Sequence, residues 1–415
     1  MRNSAIITAV DLGTSKIRTI VAETNSDEEN ITILGHAEKS SENGIIKGEI
    51  TDINKVSRIL KEVMLEAEQK SETYILSDSL YVGITGSHIS AKDSSGTVLI
   101  NSADHKVVTS QVDEALRNAR SLLLPPDSRL LNSIDGYFVL DNTHKLTDPI
   151  GHAASKLEAH TYIVYGNKNR IENVESIVKE QGFDSCFPVF NGLASALSVM
   201  TEDDFIHGTL MINIGAGISE YVLFNDYTVK DTGVFTLGCD HIANDLFLGL
   251  DVNIAKAKDI IINHSHIARK EDGHGTIDIQ SAFSARQIPI ASIEKIIELR
   301  IKEMFEVIYN RIKAKKLMKL LSNGIILCGG IANMSYAVDI AESIFEIPVR
   351  VGTPLDLSGP DDLLKDPGNI TTLGILRYAK KDVQARMEAG DGSLVNKFDH
   401  KISTMFKKVW GAMKQ

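Results

Sequence analysis

The stretch AIITAVDLGTSKIRTIVAET, residues 5–24, decides the fold. Two runs rich in Ile, Val and Ala flank a short turn of small and polar residues, which is the signature of a β-hairpin. Backbone amides at such a turn can face an anion, and a carboxylate beside it can order Mg²⁺ through water. An ordinary hairpin explains this single motif about equally well. The candidate phosphate-binding residues of this turn are Asp11, Gly13, Thr14, Ser15 and Lys16.

A second hairpin of the same kind begins about two hundred residues later. TLMINIGAGISEYVLF, residues 209–224, is again strand, glycine-rich turn and strand. Gly215 and Gly217 would let the backbone approach a ligand closely, and Asn213 stands where the first hairpin has Asp11. The repetition predicts two duplicated halves.

A third turn, CGGIAN at residues 328–333, closes an apolar strand and is expected to open a helix. The N-terminus of that helix would point at an anion or a base. Gly329, Gly330 and Asn333 are its candidate ligand-binding residues. Three such turns in this order, each at a strand end, are far more specific than any one of them. Together they resemble the pattern of the actin, Hsp70 and sugar-kinase superfamily, which implies an α/β clamp that holds ATP between two domains.

Composition sets limits on the function. The chain has 415 residues, of which 43% are hydrophobic and 24% charged, so it can form two or more domains with their own cores. It contains no apolar run long enough to span a membrane and no signal-peptide layout, so we expect it in the cytoplasm. A net charge of -11 argues against nucleic acid as a partner. The three cysteines lack metal-ligand spacing and are expected to be buried, small apolar residues.

Four further runs carry a resemblance to a known family: SENGIIKGEI at 41–50, FNGLASALSVMTEDD at 190–204, GIILCGGIANMSYAVDIAESIFEIPVRVG at 324–352 and GNITTLGILRYA at 368–379. The chain resembles the FtsA family of bacterial cell-division proteins, members of the actin and Hsp70 superfamily, over nearly its whole length. The resemblance implies an actin-like two-domain ATPase fold with an inserted small α+β subdomain and a C-terminal amphipathic helix. It also implies that ATP and Mg²⁺ are the cofactors.

The resemblance, together with the strand and helix pattern, predicts a subdomain plan. Residues 86–160, where the pattern loosens into short strands around one helix, correspond to the inserted subdomain. The remaining ranges are 1–85 plus 161–192 for subdomain 1A, 193–228 plus 301–379 for 2A, 229–300 for 2B, 380–394 for a linker and 395–415 for the amphipathic helix.

Two groups of residues depart from the family pattern. The second phosphate hairpin usually carries Asp and ends in Thr, but here the positions are Asn213 and Ile218, with Ala216 between them. The helix that resembles the family's ribose-contacting Ala-Glu-x-x-Lys has Lys258 and Ile261 after Ala257. We therefore expect ATP binding to be weakened or lost and turnover to be slow or absent, with no catalytic residue assigned. Asp11 remains the magnesium-ordering group, and Glu303 resembles a family position near the adenosine, although an ordinary surface pair with Arg300 explains it equally well.

The last segment differs in charge from the rest of the chain. From Val395 to Gln415 it holds five lysines and one acid, which leaves +4 here and -15 on the remainder. Apolar residues recur every three or four positions, so they form one stripe of a helix, and lysines within the segment prevent it from spanning a bilayer. The prediction is an interfacial membrane anchor, with a terminal helix that docks on the core as the alternative. The predicted membrane-binding residues are Phe398, Lys401, Ile402, Met405, Phe406, Lys407, Lys408, Val409 and Trp410.

The resemblance implies a cell-division adaptor on the cytoplasmic face of the inner membrane at the division site. Its implied partners are the C-terminal tail of FtsZ, bound by residues 229–300, further copies of itself in actin-like self-association, anionic inner-membrane lipids and other divisome proteins. A PilM-like pilus assembly adaptor and a small-molecule kinase of the same superfamily remain as alternatives. The His-rich stretch 264–278 is interpreted as a solvated loop rather than a metal site.

Overall fold

Two mixed β-sheets that share a five-strand arrangement organise the chain, and the first sheet has a sixth strand. The computed structural model describes residues 4–25, 29–76, 79–101, 104–264, 275–280, 285–334 and 336–388. The strands are β1 (Ser4–Leu12), β2 (Lys16–Asn25), β3 (Ile31–Ser40), β4 (Ile45–Ile46), β5 (Glu49–Ile50), β6 (Leu80–Ile84), β7 (Ser90–Leu99), β8 (Ser128–Leu140), β9 (His144–Leu146), β10 (Lys156–Asn167), β11 (Phe187–Phe190), β12 (Thr209–Ile214), β13 (Ser219–Asn225), β14 (Thr228–Phe235), β15 (Thr276–Gln280), β16 (Ala285–Pro289), β17 (Ile325–Cys328), β18 (Val349–Val351) and β19 (Leu357–Ser358). The helices are α1 (Ile53–Ser71), α2 (Thr109–Arg120), α3 (Lys168–Glu180), α4 (Asn191–Val199), α5 (Glu202–His207), α6 (Cys239–Leu250), α7 (Ile254–His264), α8 (Ile290–Ala314), α9 (Ala337–Phe345), α10 (Asp361–Lys365) and α11 (Ile370–Glu388).

The strand order shows the duplication directly. In the first sheet, the antiparallel strands β3, β2 and β1 continue into the parallel strands β6 and β11. In the second sheet, β14, β13 and β12 continue in the same way into β17 and β18. Each of the two predicted hairpins therefore occupies the equivalent place in its own sheet. The turns of the two hairpins lie at equivalent edges of their sheets.

Helix α1 illustrates how local sequence fixes an element. The side chain of Asp52 accepts a hydrogen bond from the backbone N–H of Lys55 at 3.0 Å and caps the helix, as its position in the sequence predicts. The apolar residues of the helix recur with helical spacing and are buried against the first sheet, where each fully buried aliphatic side chain contributes about 1.5–3 kcal/mol. These residues are Val56, Ile59, Leu60, Val63 and Met64.

Helix α11 covers the opposite face of the first sheet. Its Leu373 and Leu376 join the cluster that contains Ile7 of β1. It also crosses α4 at very short range, since a Cβ added at Gly374 would lie 1.9 Å from a backbone carbonyl oxygen of α4. Only glycine fits at this crossing, which holds α11 against α4.

A separate small unit lies between β6 and α3. It consists of the four-stranded antiparallel sheet β7-β10-β8-β9 and helix α2, with its own apolar cluster around Leu116, Phe138 and Leu157. A buried ion pair between Arg120 and Asp135, with two hydrogen bonds of 2.9 Å, joins α2 to β8. This is the inserted α+β unit that the loosened pattern predicts.

Three expectations need correction. The predicted linker from residue 380 begins inside a helix, because α11 continues to Glu388. Its polar side chains are held by the first sheet: the hydroxyl of Tyr81 donates to Asp382 at 2.7 Å, and Asp382 also pairs with Arg386 at 2.8 Å. The second correction concerns a helix that the sequence pattern predicts over residues 292–319. The observed helix α8 ends at Ala314, and Lys316 takes a left-handed φ of 59°.

The third correction concerns the turn at 328–333. It opens a four-residue 3-10 helix (Gly330–Asn333), and the α-helix begins only at Ala337.

No helix in the described part of the chain is long and apolar enough to cross a membrane. The predicted amphipathic anchor 395–415 and most of the His-rich stretch lie outside the described residues.

Candidate nucleotide-binding site

A cavity of about 410 Å³ lies between the two sheets, at the edge where both hairpin turns and the third turn are found. This volume is in the range of small-molecule sites. Eleven of the twelve residues proposed from sequence as cofactor-binding line it: Asp11, Gly13, Thr14, Ser15, Lys16, Asn213, Gly215, Gly217, Gly329, Gly330 and Asn333.

The twelfth, Glu303, is not among the lining residues. It lies on α8 with a largely exposed side chain and pairs with Arg300 at 2.7 Å. Arg300 in turn makes two hydrogen bonds to Asp245 of α6, at 2.5 and 2.9 Å. The i, i+3 surface pair that the sequence left open is therefore the arrangement found.

The two hairpin turns close with the same hydrogen bond. The N–H of Gly13 donates to the carbonyl of Lys16 at 3.0 Å, and the N–H of Gly215 donates to the carbonyl of Ile218 at 2.9 Å. The two turns also lie close to each other: a Cβ added at Gly217 would lie 2.8 Å from the hydroxyl oxygen of Thr14. A chain of phosphates would be held between two facing turns.

The third turn requires its first glycine for a different reason. Gly329 has a φ of 84°, and a Cβ there would lie 2.4 Å from the carbonyl oxygen of Ile214. Asn333 donates to Asp366 at 2.9 Å, and the N–H of Gly368 donates to the same carboxylate oxygen at 2.8 Å. Asp366 and Gly368 line the cavity and were not identified from the sequence: Gly368 begins the family-like run 368–379, but no ligand-binding pattern marks the loop before α11.

The charges at the first turn are largely paired. The ammonium of Lys16 contacts Glu38, and the guanidinium of Arg18 pairs with Glu38 at 2.7 Å and lies 3.8 Å from Asp11. Burial raises the pKa of Asp11, while Arg18 and a hydrogen bond from Asn191 oppose that shift. Asp11 is thus a buried carboxylate whose ionised form would be favoured further by a cation.

Asn213 has a structural role in the second half. Its amide nitrogen donates to the hydroxyl of Ser195 at 3.2 Å and to that of Thr371 at 3.0 Å, so both amide hydrogens are used. These bonds join the second hairpin to α4 and α11. Because an amide is neutral, Asn213 offers no charge to a metal ion.

Glu220 is the principal residue that sequence reasoning missed. It is 3% exposed, lines the cavity and accepts a hydrogen bond of 2.5 Å from Thr85. Burial raises its pKa to about 8, and the charge of Asp11 adds to this shift. Counting the ladder outward from the glycine turn could have found it, because Glu220 pairs with Asn213 in register and paired residues share one face of a sheet.

Asn191 carries an unsatisfied polar atom at this site. Its amide nitrogen lies 3.4 Å from Asp11, and its carbonyl oxygen is buried and has no hydrogen-bond partner in the described structure. Buried polar atoms are normally paired, so this oxygen is an exception. It packs against Gly83 of β6, where an added Cβ would lie 2.2 Å from it, and only the amide nitrogen of Asn191 faces Asp11.

The remaining wall is apolar. Ile261 and Ile262 of α7 and Met334 line the cavity, whereas Lys258 pairs with Asp240 at 2.8 Å and is not among the lining residues. Ile261 stands where the family helix usually has Lys, and this departure makes the wall apolar.

One cysteine on this wall corrects the sequence interpretation. Cys186 and Cys328 are buried as expected, but Cys239 is only partly buried and lines the cavity. Burial raises the pKa of the Cys239 thiol to about 12, so the thiol is neutral.

No group of three or more His, Cys, Asp or Glu side chains that could hold a metal ion occurs within the described ranges.

The residues fit a magnesium nucleotide in part. Two glycine-containing turns face each other for the phosphates, Asp11 can hold Mg²⁺ through water, and the apolar wall can take a base. The second carboxylate expected at position 213 is missing, and Glu220 on the neighbouring strand adds a carboxyl group whose pKa burial raises to about 8.

The duplicated sheets with a cavity between their hairpin turns define an actin-like two-domain α/β protein. Among solved structures, PilM of a PilM-PilN type IV pilus biogenesis complex matches with a TM-score of 0.62 at 12% identity, over 90% of this chain and 98% of that one. MreB5 of Spiroplasma citri bound to AMPPNP matches with a TM-score of 0.57 at 11% identity, over 93% and 99%. At this identity the likeness shows the fold alone.

Sequence comparison gives the particular family. The family model "Cell division protein FtsA" matches residues 210–374, and "SHS2 domain inserted in FTSA" matches residues 86–165. The cell division protein FtsA of Pseudomonas aeruginosa is 29% identical over 91% of this chain and 90% of its own length. That of Escherichia coli K12 is 23% identical over 95% and 96%. The chain belongs to the FtsA family of cell division proteins.

Proposed function

We propose that this FtsA-family chain binds ATP with Mg²⁺ in the cavity between its sheets and tethers FtsZ filaments to the cytoplasmic face of the inner membrane. The observation that carries the nucleotide part is the approach of Thr14 and Gly217, which brings two amide-bearing turns face to face beside the buried carboxylate of Asp11. Amide-lined turns of this kind bind phosphates in many folds.

ATP turnover is proposed to be slow or absent. Asn213 supplies no charge to a cation and uses both amide hydrogens within the protein. Glu220, with a pKa of about 8, is mostly protonated at neutral pH and therefore a poor acceptor for the proton of an attacking water. Binding without rapid turnover suits an adaptor, whose bound state has to last while a filament is attached.

Membrane attachment is proposed from the sequence of the last segment. Helix α11 carries the chain along the first sheet to Glu388, and the lysine-rich stripe begins a few residues further on. Each lysine near an anionic surface contributes about 1 kcal/mol to the free energy of membrane binding. The aromatic and aliphatic residues of the same segment add to this when they are buried in the bilayer interface. The expected result is reversible binding in the interface plane.

The partners follow from family membership. Residues 229–300 are proposed to bind the C-terminal tail of FtsZ, and actin-like self-association and contacts with other divisome proteins are proposed for the assembled state. The subdomain ranges given above define the parts to be tested. The likeness to PilM is one of fold at 12% identity, whereas the FtsA relatives match in sequence over nine-tenths of the chain, which favours the division role.

Equilibrium binding of a fluorescent ATP analogue to the full chain, with and without Mg²⁺, tests the nucleotide part. We expect saturable binding that Mg²⁺ strengthens and that Asp11→Asn weakens by at least about 10-fold, because the buried carboxylate is lost. Asp203→Asn, at an exposed position on α5, is the matched control and should leave binding unchanged. Absence of saturable binding, or equal binding by Asp11→Asn, would contradict the proposal.

A further inference from the structure

The short hairpin formed by β4 and β5, residues 45–50, touches both phosphate turns. The N–H of Gly48 donates to the hydroxyl of Thr14 at 3.0 Å. On the other side, a Cβ added at Gly217 would lie 3.0 Å from the Cα of Lys47. The tip of this hairpin therefore lies over the gap where the two turns come closest.

The hairpin is held firmly in that place. The N–H of Ser41 donates to the carbonyl of Ser15 at 3.0 Å, and the hydroxyl of Ser41 donates to the carbonyl of Thr14. At the far end, the N–H of Thr51 donates to the carbonyl of Gly44 at 2.9 Å, just before the cap of α1. The hairpin tip is thus fixed relative to the first turn.

Lys47 at the tip has an available positive charge. It has a left-handed φ of 50° and an exposed side chain, and its ammonium has no ion-pair partner among the residues that the structure describes. The nearest acid in sequence, Glu49, is engaged by Arg170 and by the hydroxyl of Ser87 at 2.9 Å. Nothing on the hairpin itself neutralises Lys47.

Among the residues that the structure describes, the cavity lacks available positive charge elsewhere. Its two cationic lining residues, Lys16 and Arg18, are both paired with Glu38, while Asp11 and Glu220 contribute acids. A triphosphate would need a further cation beyond Mg²⁺ at the end farthest from the base. Lys47 is not among the lining residues, but its Cα lies beside Gly217, which is, and its flexible four-carbon stem can extend to a phosphate at this end.

We propose that Lys47 binds the terminal phosphate of a nucleoside triphosphate held between the two turns, and so favours the triphosphate over the diphosphate. This inference rests on the proposed nucleotide binding. The hydroxyl of Thr14 accepts from Gly48 and can donate to the same phosphate, so the ligand and the hairpin tip share one anchoring atom.

Calorimetric titration of the full chain with MgATP and with MgADP tests the proposal. Lys47→Gln is expected to weaken MgATP binding by about 10-fold or more, the value of a charge-assisted hydrogen bond, and MgADP binding by less than about 3-fold. Lys47→Arg should keep most of the preference for the triphosphate. Lys61→Gln, an exposed lysine of α1, is the matched control and should change neither affinity.

The outcomes separate the two proposals. If Lys47→Gln, with an unchanged thermal midpoint, weakens both nucleotides equally or neither, the role of Lys47 is wrong while nucleotide binding stands. If the unmodified chain binds neither nucleotide, the proposed nucleotide binding fails and this inference fails with it. Slower hydrogen exchange at the Gly48 amide with MgATP than with MgADP is the second expected readout, and equal exchange in both would count against the contact.

Discussion

Asn213 and Glu220 are cross-strand partners in the ladder of β12 and β13, and both line the cavity between the two sheets. The equivalent pair in the first hairpin is Asp11 and Arg18. One hairpin thus presents an acid opposite a base, and the other presents a neutral amide opposite a buried acid. This difference underlies the predictions for the site.

Glu220 should make stability depend on pH. Because its pKa rises from 4.5 to about 8 on folding, the folded chain keeps a proton that the unfolded chain loses between these values. Its contribution is therefore full below about pH 4.5, decreases up to about pH 8 and is lost above that. Glu220→Gln should remove this slope and exceed the unmodified chain in unfolding free energy by at least about 1 kcal/mol at pH 9. Denaturant unfolding at pH 6 and pH 9 measures this, and identical slopes for both proteins would contradict it.

Asn213→Asp should restore a metal-ordering charge. The new carboxylate could accept from the hydroxyls of Ser195 and Thr371, which now accept from the amide. We expect Mg²⁺-dependent phosphate release from ATP to rise by about 10-fold or more, and the metal-free protein to lose stability because an uncompensated carboxylate would be buried at this position. Unchanged phosphate release, despite tighter Mg²⁺ binding, would show that charge at this position does not limit turnover.

Two adjacent glycines of the third turn should respond differently to substitution. Gly329→Ala places a Cβ against the carbonyl oxygen of Ile214 at a left-handed φ, so it should cost about 2 kcal/mol or more in unfolding free energy. Gly330→Ala has no neighbouring atom within 4 Å of its added Cβ and should cost less than about 1 kcal/mol. Chemical denaturation of both variants measures the difference. Equal losses would contradict the strained geometry of Gly329.

The anchoring of α11 should depend on Asp382. Asp382→Ala leaves the hydroxyl of Tyr81 and the guanidinium of Arg386 without their carboxylate, so we expect a loss of about 1–3 kcal/mol. Lys365→Ala removes one partner of an exposed i, i+4 pair on α10 and should cost less than about 0.5 kcal/mol. Thermal unfolding of the two variants makes the comparison, and equal effects would mean that residues 380–388 are held by other contacts.

Local pattern was enough to predict much of the fold. The alternation of apolar residues around DLGTSK and NIGAG gives the hairpins, and the spacing after Asp52 gives α1 with its cap, because each depends only on residues close in sequence. The helical character of 380–388 was missed because its polar side chains pair with Tyr81 and Phe187, which are distant in sequence; the guanidinium of Arg386 lies 4.5 Å from the Phe187 ring centroid.

The site was predictable where it lies on the turns themselves. Glu220 enters the cavity through its register with Asn213, whereas Asp366 and Thr371 enter it from the segment around the start of α11. Register could have shown Glu220, but the placement of Asp366 and Thr371 depends on contacts between residues distant in sequence. Glu303 was proposed from family resemblance, and its side chain instead pairs with Arg300 on the same helix, the local arrangement that the sequence left open.

The central claim is that the chain links an FtsZ filament to a membrane, and co-sedimentation of FtsZ with anionic liposomes tests it most directly. The measurement compares the full chain with a version that ends at Leu394, both with MgATP. We predict that FtsZ pellets with liposomes only when the full chain is present, because the lysine-rich stripe is needed to hold the complex at the surface. If the full chain pellets while FtsZ stays in the supernatant, or if both versions carry FtsZ down equally, the proposed tethering is wrong.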